Sequence, residues 1–139
     1  MQPPQAGIVS AKRVLVDTSV WVDYFRGGSA VLSEKVDRLL EGDDVCVPKI
    51  VLAELVQGAK SEREISIIED FFDAFTIVDQ GPETWQKAGK LSRQLKIKGK
   101  TIHLLDCYIA VIAQENACAI LTLDDHFKEI QRLTPLDLL

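Results

Sequence analysis

The chain has 139 residues, 47% of them hydrophobic, which suits one domain with a real core. Its formal net charge of -5 argues against a protein that coats nucleic acid through lysine and arginine contacts to phosphate. No apolar run approaches the roughly 18 residues of a membrane helix, and Met1 to Gly7 lacks the basic and apolar regions of a signal peptide, so a cytoplasmic protein without membrane contact is expected.

Residues 1–12 read as a flexible tail and 13–139 as a single domain. Arg13 to Val16 forms a first strand, and Thr18 to Phe25 a helix ended by Gly27-Gly28. Ser29 caps a second helix running to Leu40. Val45 to Val47 is a short buried strand, after which Pro48 suits the first turn of a helix ending at Gly58. Ser61-Glu62-Arg63-Glu64 is a capping box, and Ile65, Ile68 and Phe72 share one face of the helix it opens. Phe75 to Val78 returns as a strand. Gly81-Pro82 starts a further helix whose apolar stripe is Trp85, Ala88, Leu91 and Leu95. Leu105 to Glu115 is a helix apolar nearly all round, and Cys118 to Thr122 is the next strand. Alternation of this kind implies a mostly parallel sheet between helical layers.

Acidic residues stand at the boundaries of these apolar segments. Asp17 follows the first strand, Asp106 opens the apolar helix, and Asp124 follows Ile120 to Leu123. In a parallel sheet the strand ends share one carboxyl edge, so acids from distant segments meet there. Helix capping alone does not require Asp17, because Thr18 and Ser19 serve that purpose equally well. Glu54 lies inside the apolar run Ile50 to Val56, where an unpaired carboxylate costs several kcal/mol by general estimates. Of the adjacent Asp124 and Asp125, Asp124 comes first after the strand and is the better candidate, and Thr122 either bonds its carboxylate or finishes the strand. Four converging carboxylates repel unless a divalent cation holds them, which points to phosphodiester chemistry.

Other features carry less. From Thr84 to Leu105 there are six basic residues and no acid; Lys87, Lys90 and Arg93 lie opposite the apolar stripe, either as a solvated face or as a rim that guides phosphate. Cys46, Cys107 and Cys118 have apolar neighbours and no Cys-x-x-Cys spacing, as buried thiols in a reducing compartment do. His103 and His126 are too few for a histidine-rich metal site, and each reads as a surface or supporting residue rather than a ligand. Gly99-Lys100-Thr101 lacks the earlier glycine of a phosphate-binding loop, since that position is Gln94. Ser19, two residues after Asp17, excludes an Asp-x-Asp phosphatase.

Four blocks in order carry a family resemblance: Val14 to Trp21, Val51 to Gly58, Leu105 to Ala113 and Leu121 to Phe127. Over about Arg13 to Leu139 the chain resembles a PIN domain, specifically the toxin nuclease of a VapBC toxin-antitoxin pair. The resemblance implies a three-layer α/β/α sandwich with a mostly parallel, about five-stranded sheet. It implies a metal-dependent endoribonuclease in which Asp17, Glu54, Asp106 and Asp124 are the catalytic acids and metal ligands, for Mg2+ or Mn2+. Ser19 or Thr18 would then be a hydroxyl near metal or water, and Thr122 a supporting residue. An RNA substrate, with Lys87, Lys90 and Arg93 on its phosphates, a cognate antitoxin and a homodimer are also implied. A PIN nuclease of RNA processing and a non-catalytic PIN scaffold are the alternatives. One position departs from the pattern: many members carry a second acid where this chain has His126.

Overall fold

A computed structural model of the chain describes residues 13–42, 44–75 and 77–139, so the tail expected at 1–12 lies outside the described residues. Four strands rich in Val, Ile, Leu and Cys form an all-parallel sheet in the order β3-β2-β1-β4. They are β1 Arg13–Val16, β2 Val45–Pro48, β3 Ile77–Val78 and β4 Cys118–Leu121. Continuous apolar runs of this kind, rather than alternation, belong to strands covered on both faces. β1 is central, in register with β2 at Val14↔Val45 and with β4 from Arg13↔Cys118 to Val16↔Leu121. The chain builds β2 and β3 on one side of β1 and returns to the other side for β4. Loops therefore diverge between β1 and β4 and leave a crevice at their carboxyl ends.

Seven helices flank the sheet in the described residues: α1 Thr18–Phe25, α2 Ala30–Glu41, α3 Lys49–Gln57, α4 Glu62–Phe72, α5 Thr84–Ile97, α6 Leu104–Glu115 and α7 His126–Leu133. The expected caps form: the Ser29 hydroxyl accepts the Leu32 N–H at 3.2 Å, and the Ser61 hydroxyl accepts the Glu64 N–H at 3.1 Å. Residues 107–113 of α6 are all buried, and Trp21 of α1 sits against Phe72 with ring centroids 4.9 Å apart at 88°. The three cysteines are buried, and none forms a disulfide among the described residues. No helix among the described residues is long and apolar enough to cross a membrane.

Several boundaries differ from expectation, each for a local reason. The sheet has four strands instead of about five. In the fifth place runs the C-terminal stretch, which pairs with β4 through a single parallel bridge, Ile120↔Leu138; Pro135 offers no N–H to lengthen the ladder. β3 is shorter than Phe75 to Val78, because the Phe75 N–H closes a turn on the Phe72 carbonyl at 3.1 Å. β4 stops at Leu121, where the Thr122 hydroxyl turns to Asp17 at 2.8 Å. α5 starts at Thr84 rather than at Gly81-Pro82, since the Thr84 hydroxyl accepts the Gly81 N–H at 2.7 Å and holds those residues in a turn. Trp85 leaves the apolar stripe: it is 43% exposed and stacks on Tyr108 at 4.1 Å, while Thr84, Ala88, Leu91, Ser92 and Leu95 form the buried face. α7, whose Phe127 and Ile130 are buried, is an addition to the expected elements.

Candidate functional site

Asp17 follows the central strand and is only 6% exposed. Its Oδ2 accepts the Ser19 hydroxyl at 3.0 Å and the Thr122 hydroxyl at 2.8 Å, so a residue after β1 is tied to one after β4. Thr122 Oγ1 in turn accepts the Asp124 N–H at 2.9 Å, and Ser19 Oγ accepts the Leu123 N–H at 3.1 Å. Thr18, at the start of α1, donates to Glu54 Oε1 at 2.8 Å and orients the acid of α3. Asp106 lies in the first turn of α6. The His126 ring Nδ1 stands 3.3 Å from Asp106 Oδ2 and 3.3 Å from Asp124 Oδ1, and the His126 N–H donates to that same Asp124 oxygen at 2.9 Å.

Each of the four acids therefore has one anchored oxygen. Among the described residues no hydrogen bond or ion pair engages the other oxygen of any of them, and no lysine or arginine pairs with them. The electrostatic cost shows in two carboxyls. Burial pushes Glu54 up from its ordinary value; Thr18 opposes this by bonding the charged form, and Asp17 and Asp106 add to the rise. Asp106 is also raised, first by burial and then by Asp124 and Asp17, with the His126 contact pulling the other way. Glu54 thus responds to Asp17 and Asp106, and Asp106 to Asp124 and Asp17, which links the four acids electrostatically.

A family model described as PIN domain matches residues 14–133. The chain belongs to the PIN domain family. A ribonuclease VapC2 of Haemophilus influenzae is 32% identical over 96 residues, 66% of this chain and 71% of its own length. A ribonuclease VapC11 of Mycobacterium tuberculosis is 29% identical over 128 residues, 88% of this chain and 95% of its own. In fold the chain is similar to the DNA-bound VapBC of Salmonella typhimurium, with a TM-score of 0.75 at 22% identity, covering 92% of this chain and 97% of that one.

The donor set of this PIN domain fits a hard divalent cation. Carboxylate oxygens of Asp106 and Asp124 and a ring nitrogen of His126 lie within 4.8 Å of one another, with Asp17 and Glu54 beside them. Oxygen-rich, partly open clusters of this kind suit magnesium or manganese. Of the four acids singled out in the sequence, Asp106 and Asp124 share this cluster, while Asp17 and Glu54 are coupled to it electrostatically and are held by Ser19 and Thr122 and by Thr18. Thr122 bonds the Asp17 carboxylate and takes only the backbone N–H of Asp124, not its carboxylate. His126, read from the sequence as a surface or supporting residue, stands between two of the acids.

The basic helix face is placed differently. Lys87 pairs with Glu115 at 3.2 Å, at the end of α6 opposite Asp106 and about 13 Å along the helix from it. Lys90 and Arg93 are exposed farther along α5, and neither contacts the acids. Nearer the site, Lys100 pairs with Glu129 of α7 at 3.4 Å, one turn beyond His126. On the other flank, beside Glu54, an apolar groove of about 540 Å³ opens among α1, α3 and α4, lined by Val22, Phe25, Leu55, Ile67 and Ile68.

Proposed function

We propose that this PIN domain, residues 13–139, is a Mg2+- or Mn2+-dependent endoribonuclease and the toxin of a type II toxin-antitoxin pair, held in the cytoplasm as a homodimer. The observation that carries the proposal is the convergence of Asp17, Glu54, Asp106 and Asp124, without lysine or arginine partners among the described residues, at the switch point between β1 and β4. Relatives named as VapC ribonucleases, and a neighbour in fold described as DNA-bound VapBC, support it.

The four acids would hold the cation, which supplies charge neutralisation at the phosphodiester and activation of water. The chain's own residues provide the orientation. Ser19 and Thr122 fix Asp17, and Thr18 fixes Glu54, so both carboxylates are held in place from one side. The amino ends of α6 and α7 meet at the site and favour anionic groups there, including a substrate phosphate. Lys90 and Arg93, with Lys87, would contact phosphates farther along the RNA. An antitoxin segment would bury its apolar residues in the groove beside Glu54 and bring a cation to the acids, neutralising the site.

Purified protein should cleave single-stranded or looped RNA with magnesium or manganese and stop with EDTA. Glu54→Gln or Asp124→Asn should lower the rate by orders of magnitude, because each removes a ligand of the reacting centre. Undiminished cleavage by a folded Asp106→Asn variant would overturn the site.

A further inference from the structure

The His126 imidazole stands between two carboxylates of the site. The Nδ1 atom is 3.3 Å from Asp106 Oδ2 and 3.3 Å from Asp124 Oδ1. A ring nitrogen carries at most one proton, so it donates along one of these directions and leaves the other oxygen facing a nitrogen with no bond between them. Both separations exceed the usual N–H to oxygen distance of about 2.9–3.0 Å. Two donors about 2.1 Å from a shared cation stand about 3.0 Å apart at a right angle and about 3.4 Å apart at the tetrahedral angle. The two 3.3 Å separations fall inside that span, and a single proton serves only one of them.

The backbone holds the ring in this place. The His126 N–H bonds the Asp124 oxygen at 2.9 Å, and α7 begins at His126, so the first turn of the helix carries the imidazole over the Asp106 and Asp124 carboxylates. The His126 side chain is 45% exposed, so the cluster lies at the protein surface.

Resting on the proposed metal-dependent nuclease, we propose that His126 is itself a ligand, making the site a mixed nitrogen and oxygen centre that favours a first-row cation such as Mn2+ over Mg2+. Magnesium prefers oxygen donors, whereas first-row divalent cations accept imidazole readily. A histidine donor carries no negative charge where a carboxylate would, which shifts the preference further.

The chain has two histidines, so the assignment is clean in tag-free protein. Mn2+ is added to wild type, His126→Asn, His126→Asp and His103→Asn, and histidine nitrogen coupling is read by electron spin echo spectroscopy. Mn2+ and Mg2+ affinities are measured by calorimetry, with circular dichroism to confirm folding. Coupling is expected in wild type and His103→Asn and absent in His126→Asn, whose Mn2+ over Mg2+ preference falls about tenfold or more. His126→Asp should bind both ions, lose the coupling and shift toward Mg2+, which supports the proposal even if the asparagine variant is unstable. Mn2+ bound to wild type without nitrogen coupling, or with coupling that survives in either His126 variant, overturns the ligand assignment and leaves the metal-dependent nuclease standing. Failure of wild type to bind either ion overturns both.

Discussion

Asp106→Asn should stabilise the metal-free protein and destabilise it, relative to wild type, once metal is present. The Asp106 side chain is 18% exposed and that of Asp124 35%, and ligand oxygens of the two lie within 4.8 Å. At 4.8 Å, two like charges repel by about 0.9 kcal/mol in bulk water and about 3.5 kcal/mol at an effective dielectric constant of about 20. Partial exposure of Asp124 places the relief at about 1–2 kcal/mol. The asparagine oxygen still accepts from His126, so little is lost in exchange. For a chain of this size the midpoint of thermal unfolding in EDTA should rise by about 3–7 °C. With an ion at 100 times its dissociation constant, wild type gains about 2.7 kcal/mol by mass action, and a variant short of one ligand gains much less. The order of the two melting curves should therefore cross between EDTA and manganese. Thermal melts of both proteins under both conditions test this. A lower midpoint for Asp106→Asn in EDTA, or equal metal-induced shifts in the two proteins, would refute the shared-cation reasoning.

The raised carboxyls make a pH prediction of definite sign. Glu54 and Asp106 hold their protons in the folded chain above their ordinary values of 4.5 and 3.8, so the stability they contribute is full below those values. It is lost as pH rises through the raised folded values. Urea melts in EDTA should show wild type losing stability across that window relative to a Glu54→Gln, Asp106→Asn double variant; parallel pH profiles would contradict it. Thr122→Val should cost about 1–3 kcal/mol in urea melts, because Asp17 Oδ2 and the Asp124 N–H each lose a partner. It should also slow RNA cleavage, and unchanged stability would show that the two hydroxyl interactions are dispensable. Neutralising Lys90 and Arg93 together should weaken RNA binding and lower its salt slope by about 0.7 for each phosphate of the single strand that is no longer neutralised. Lys87→Ala should do less, since Lys87 already pairs with Glu115, and equal effects would move the RNA path.

Local chemistry made much of this protein readable before any coordinates. Apolar runs bounded by Ser29, Ser61 and Gly58 located helices, because a cap is satisfied within a few residues of its own chain. Asp17, Glu54, Asp106 and Asp124 stood out because charge at the edge of an apolar segment is costly without a partner. The residues of the four blocks carried the family. Other properties depended on distant segments. Trp85 fits a helical stripe by spacing, yet Tyr108 of the neighbouring helix supplies a stacking surface that holds it half outside the core. The fifth strand shrank to a bridge because pairing depends on a partner's register.

The sequence by itself determined most of the helices and strands, though not α7 or the strand count, and which carboxylates are out of place among apolar neighbours, since those properties follow from periodicity, capping and burial along one stretch of chain. Only the tertiary structure decided that Thr122 reaches back 105 residues to Asp17, that Lys87 belongs to the end of α6 away from Asp106, and that the His126 ring stands between two acids. Those relations arise where β4 returns beside β1 and two helix ends meet, and no spacing along a single chain encodes a distance across that crevice.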